Sequence, residues 1–122
     1  MEKMSERLEE QLRELDGVYA DLEKSSQKLF EASELFLKAK QKLETERLTG
    51  MANGSIFGKN ADEREACARE VIPGLFLDYG EAQDTERIAK HDFDQAFLKV
   101  ELSRARLRIL ELLVKVEVGN GQ

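Results

Sequence analysis

Arg47 to Arg64 reads RLTGMANGSIFGKNADER, and the fold turns on how this stretch is read. Gly50, Asn53-Gly54 and Gly58 are turn punctuation between two long stretches of helical periodicity, so the chain reverses here. An Asn-Gly pair between Met51-Ala52 and Ser55-Ile56-Phe57 suits a two-residue hairpin turn. Its arms are short, which favours an irregular loop over a small β-hairpin across residues 50–58. Asn60 is a good N-cap, and Glu63 three residues later completes a capping-box arrangement. The reading predicts a loop over 49–60 and a short helix over 61–72, with Cys67, Ala68, Val71 and Ile72 on its apolar side. Ile56 and Phe57 are expected to tuck against the helices. If they face outward instead, they and Lys59 are the candidate contact points for a partner.

Outward from this reversal, the N-terminal side predicts one helix over 2–48. Leu8, Leu12, Leu15, Tyr19, Leu22, Leu29, Phe36 and Leu43 follow an alternating four-three spacing, which is a heptad seam. Val18, Phe30, Ala32, Leu37 and Ala39 widen it where Ser26, Ser33 and Lys40 weaken it. On the other side, Pro73-Gly74 and Asp78 to Gly80 predict a turn over 73–80, with Leu75-Phe76-Leu77 as a short apolar plug. A last helix is predicted over 81–118, ended by Gly119-Asn120-Gly121. Its seam is Ala89, Phe93, Ala96, Val100, Ser103, Leu107, Leu110 and Val114, widened by Phe97, Leu102, Ile109, Leu112 and Leu113.

The expected fold is therefore all-α: a long antiparallel, coiled-coil-like helical hairpin with a short middle helix near its tip, in one elongated domain over 1–122. The first helix alone would be about 70 Å long at 1.5 Å per residue. Two helices cannot cover such wide apolar faces. The open end, where Leu8 to Leu22 meets Leu102 to Val118, implies a homo-oligomer, most simply a dimer with a four-helix core.

Composition narrows the function. A net charge of −6 argues against nucleic-acid binding driven by overall charge, although a local basic patch is compatible with it. No apolar run reaches the roughly 18 residues of a membrane span. The charged start MEKMSERLEE is not a signal peptide, and the expected location is the cytoplasm. Cys67 has no cysteine partner in the chain and reads as a small buried thiol in a reducing compartment.

No catalytic, metal or cofactor constellation is present. Gly54-Ser55-Ile56-Phe57-Gly58-Lys59-Asn60 has three residues between its glycines where a phosphate loop needs four. Asn60 also stands where that loop needs Ser or Thr, and no strand precedes it. His91 is the only histidine, with Asp92 and Asp94 nearby but no second ligand pattern, so it reads as a surface residue. The many carboxylates are solvated helix faces rather than acid–base pairs. The expectation is a non-enzymatic protein without a cofactor.

One feature runs against the net charge. Lys99, Arg104, Arg106, Arg108 and Lys115 make the last helix locally basic, and Arg104 and Arg108 lie one turn apart. The favoured reading is ion pairing with Glu6, Glu9, Glu10, Glu14 and Asp16 at the same end of the hairpin. The alternative is a phosphate-contacting face formed by Arg104, Arg106 and Arg108.

At Gly58-Lys59-Asn60-Ala61-Asp62-Glu63-Arg64-Glu65-Ala66 the chain resembles a recurring type of small helical protein from phages and prophages. These carry a Gly-Lys-Asn-x-x-x-Arg turn between two long charged helices, the second reading Leu-x-x-Ala-Arg-x-x-Leu-x-x-Leu. The matching stretch here is Leu102-Ser103-Arg104-Ala105-Arg106-Leu107-Arg108-Ile109-Leu110, and the resemblance spans Gly58 to Leu113. The chain departs from it at Ile72-Pro73-Gly74-Leu75-Phe76-Leu77. The resemblance implies phage or mobile-element origin and a cytoplasmic location; it transfers no activity and no functional residues. The leading expectation is a protein–protein interaction or assembly module. The alternatives are a nucleic-acid-associated accessory factor in replication or recombination, and an acidic inhibitor of a host enzyme.

Overall fold

The computed structural model describes residues 2–120. It is all-α, with α1 (Glu2–Asn53), α2 (Ala61–Val71) and α3 (Pro73–Asn120) and no strand among the described residues, so residues 50–58 form no β-hairpin. α1 and α3 pack together as a helical hairpin. The described residues divide into two compact units. One joins α1 up to Lys28 with α3 from Lys90 onward; the other is Leu29–Ala89.

In the first unit the helices run antiparallel. Gln11 meets Ser103, while Asp21, Lys24, Ser25 and Lys28 line a shallow groove with Asp92, Gln95, Ala96 and Lys99. Leu8, Gln11, Leu15, Val18, Leu22 and Ser25 of α1 are buried or half-buried, as are Phe93, Ala96, Val100, Ser103, Leu107, Leu110 and Val114 of α3. Both series keep an alternating four-three spacing. The seam is not the one expected on α1, however. Leu12 is 46% exposed and Tyr19 is exposed, while Gln11 is 9% exposed. Every second seam position on α1 thus carries Gln11, Val18 or Ser25, facing small residues such as Ala96 and Ser103 on α3. The distance between packed helices depends on the side chains at the contact, and small ones permit a close approach that Leu12 and Tyr19 would block. Gln11 Nε2 donates to Ser103 Oγ at 2.9 Å and to the Ser103 carbonyl at 3.3 Å, so the one polar seam pair is satisfied.

In the second unit the same rhythm passes through Leu29, Ala32, Phe36, Ala39 and Leu43 on α1 and Tyr79, Ala82, Glu86 and Ala89 on α3. The rings of Phe36 and Tyr79 stack at 5.2 Å between centroids. Three element boundaries differ from the sequence expectation here. α1 runs to Asn53 rather than 48, through Gly50, because the Ile56 side chain folds onto that glycine. A Cβ there would lie 2.5 Å from Ile56 Cδ1. The helix stops at Gly54, whose φ of +82° suits the left-handed cap. The expected turn over 73–80 is instead the first two turns of α3. Ile72 alone breaks the chain, at φ −128° and ψ 53°, outside the helical region that a following proline disfavours. Pro73 then opens α3 at the position where its missing N–H costs nothing. Half-buried Leu75, Phe76 and Tyr79 offset the helix penalty of Gly74 and Gly80, about 1 kcal/mol each. Ile72 caps α2, which ends at Val71. The expected stop at Gly119-Asn120-Gly121 extends to Gly121, which lies outside the described residues; α3 is helical to Asn120.

Candidate functional site

The loop between α1 and α2 is held by its own hydrogen bonds. The Ile56 N–H donates to the Gly50 carbonyl at 2.9 Å, and Asn53 Oδ1 accepts from the Ser55 N–H at 2.9 Å and the Ser55 hydroxyl at 2.6 Å. Asn60 Oδ1 accepts from the Glu63 N–H at 2.8 Å, and Glu63 reaches back to accept from the Lys59 N–H at 2.7 Å. Both halves of a capping arrangement are thus made, with the return bond one residue earlier than usual. Arg64 donates to the Gly58 carbonyl at 3.3 Å. Gly58 is required, since a Cβ would sit 2.7 Å from the Arg64 backbone nitrogen.

This geometry separates the three candidate contact residues of the loop. Ile56 is 3% exposed and belongs to the core of its unit, so it is not a contact residue. Its backbone N–H is tied to Gly50, and that bond turns the side chain inward. Phe57 points outward at 71% exposure, and Lys59 is exposed beside it. Phe57 and Lys59 border a shallow hollow with Glu63, Cys67 and Glu70. Cys67 is half-buried rather than buried, with its Sγ 3.6 Å from the Ser55 carbonyl.

Behind the loop, Arg47, Glu65, Arg69 and Phe76 form a polar cluster in the second unit. Arg47 pairs with Glu65 at 2.8 Å, and Glu65 also reaches Arg69 at 3.4 Å. Both guanidinium groups lie over the Phe76 ring, at 5.4 Å and 4.6 Å from its centroid. The groove they line with Lys40, Tyr79 and Gly80 has a volume of about 450 Å³. Glu65 is shared between the two arginines, and the cluster ties α2 to α1 and α3. Sequence reading missed it because its members come from three elements with no common spacing.

The basic residues of α3 do not converge. Arg106 Nη1 lies 3.5 Å from Glu14 Oε1, at the acidic end of α1. Arg104 and Arg108 are exposed on another side of the helix and have no ion pair among the described residues. His91 is exposed, and no three metal-ligating side chains converge among the described residues.

A row of exposed apolar side chains runs along α3. Leu98, Leu102, Ile109, Leu112, Leu113 and Val116 of α3 are all exposed. On a helix turning 100° per residue they lie about 150° round from the seam that faces α1. Leu102, Ile109, Leu112 and Leu113 read in sequence as a widening of that seam, with Phe97; in the structure Phe97 is exposed too, and the other four join Leu98 and Val116 in a separate stripe on the far side. Exposed apolar side chains on α1 are sparser in the same unit, with Leu12 and Tyr19, while Phe30, Leu35 and Leu37 lie in the second unit.

No helix is long and apolar enough to cross a membrane among the described residues. Comparison with protein families, with curated proteins and with solved structures returns no match.

Proposed function

We propose that the chain is a non-enzymatic helical protein–protein interaction or assembly module that self-associates, most simply as a homodimer, in the cytoplasm. The observation that carries this reading is the exposed apolar stripe of α3 from Leu98 to Val116. Contiguous apolar surface on a small protein marks an interaction site, whereas scattered exposed side chains do not. Phe57 with Lys59 is a second, smaller contact point for a different protein partner. The resemblance of Gly58 to Ala66 to small phage and prophage proteins supports a mobile-element origin. Sedimentation velocity at rising micromolar concentration tests the reading. The expected result is a mass climbing towards twice 13.9 kDa, and a mass that stays at 13.9 kDa throughout overturns it.

A second reading rests on Arg104 and Arg108, which are exposed and without an ion pair among the described residues. They, with Lys59, would serve a nucleic-acid-associated accessory role through phosphate contacts. A salt-sensitive gel shift lost on R104E/R108E, with helicity intact, supports it. A chain that shifts neither DNA nor RNA at low salt refutes it.

A further inference from the structure

The outward stripe of α3 is itself a heptad. Leu98, Leu102, Ala105, Ile109, Leu112 and Val116 are spaced four, three, four, three and four, and all six are exposed. We infer that a second copy of this chain docks here, α3 against α3, with the two helices parallel and in register. The inference rests on the proposed self-association and adds the helix pairing, its polarity and its register.

Two independent features of the stripe point to a second copy in that orientation. The first is the shape of the seam. Counting heptad positions a to g, Leu102, Ile109 and Val116 fall at a, and Leu98, Ala105 and Leu112 at d. β-branched residues at a with Leu at d favour two-stranded parallel pairing. The second is charge. In a parallel pair each g residue faces the e residue five positions later on the partner helix. Here Asp94 would face Lys99, and Glu101 would face Arg106, of the second copy. Each contact occurs twice by symmetry. The next pair, Arg108 with Leu113, places an aliphatic stem on an apolar side chain and no like charge. An antiparallel pair centred on the stripe would keep an attractive contact of Glu101 with Lys115 but set Arg106 against Arg106 and Arg108 against Arg108 at its centre, where the parallel pair has no like-charge contact. A partner of another sequence would need the same acid–base alternation; a second copy already has it. Arg106 also reaches Glu14 within its own chain at 3.5 Å. A guanidinium has donors enough for both carboxylates.

Three measurements on the full chain test the inference. Ile109→Glu places a charge at the centre of the stripe without touching the seam to α1. It should weaken self-association about a hundredfold with the helical circular dichroism unchanged. Asp94→Lys should weaken it about tenfold, and Asp94→Lys with Lys99→Asp should restore it. Leu98→Cys and Val116→Cys, each in a Cys67→Ser background, should form a disulfide dimer with themselves on mild oxidation. If self-association persists in Ile109→Glu, the assembly reading stands and this face is wrong. If Leu98→Cys and Val116→Cys link only to each other when mixed, the parallel orientation is wrong. If the unmodified chain is monomeric at every concentration, both readings fall.

Discussion

Exchanging Gln11 for Leu and Ser103 for Ala, singly and together, tests how the two long helices are set against each other. Ser103 is 2% exposed and Gln11 9%, and the amide donates to both the hydroxyl and the carbonyl of the serine. Gln11→Leu leaves the Ser103 hydroxyl buried against an apolar side chain. An unmade buried hydrogen bond costs about 1–3 kcal/mol, and a helical serine can turn its hydroxyl towards the carbonyl four residues back, so the low end applies. Ser103→Ala removes the better acceptor of Gln11 but leaves the carbonyl, for a cost of about 1 kcal/mol. Replacing both groups by apolar ones of similar shape is close to neutral. The double variant should therefore recover most of what each single variant loses, with a coupling of about 2 kcal/mol in the mutant cycle. Urea unfolding followed by far-UV circular dichroism measures this. At a slope of about 2 kcal/mol per molar, each single variant shifts the midpoint by roughly 0.5 M. All four proteins must be compared at one concentration, because the proposed self-association would add a concentration-dependent term to stability. Additive single losses, with the double variant the least stable, would show that the Gln11–Ser103 bond does not hold the seam.

Further substitutions probe the loop and the helices beside it. Asn60→Ala removes the acceptor of the Glu63 N–H and should cost about 1 kcal/mol, read as a lower melting temperature and faster amide exchange at Glu63. Ile56→Ala empties a side chain that is 3% exposed and should cost about 2–5 kcal/mol in urea unfolding, far more than Phe57→Ala, whose ring is in water. Gly58→Ala should destabilise by about 1–3 kcal/mol, because its Cβ would meet the Arg64 backbone at 2.7 Å. Gly17→Ala, mid-helix with nothing near a Cβ, should stabilise by about 1 kcal/mol in the same assay.

Where the information was local, the sequence was enough. Asn60 with Glu63 marks a helix start because both halves of the cap lie within four residues, and α2 begins there. Pro73, Gly74 and Gly80 were misread because the same residues punctuate a turn or open a helix, depending on where they sit. Proline is tolerated at the first helical position, and the helix beyond it is secured by Leu75, Phe76 and Tyr79 packing inward. That packing is tertiary and leaves no local mark. The Arg47–Glu65–Arg69 cluster was illegible for the same reason, since it exists only once α2 packs against the other two helices.

The α1 seam shows how an apolar pattern can mislead by one residue. Two stripes share Leu8, Leu15, Leu22, Leu29, Phe36 and Leu43. One adds Leu12 and Tyr19, the other Gln11, Val18, Ser25, Ala32 and Ala39. Over residues 8–22 the first offers the larger apolar side chains, but it continues through Ser26, Ser33 and Lys40, and burial obeys the second. A large residue at one seam position alternates with a small one at the next on α1, and α3 does the same with Phe93, Ala96, Val100 and Ser103. In this pairing Ala32 and Ala96 are buried, while Leu12 and Tyr19 stay outside it. The larger side chains displaced from that interface are then left on the outside of α1. On α3 the outer row is longer and keeps a heptad of its own from Leu98 to Val116. The pairing of α1 with α3 thus leaves the longest apolar row of α3 facing outward, which is the face the proposed self-association uses.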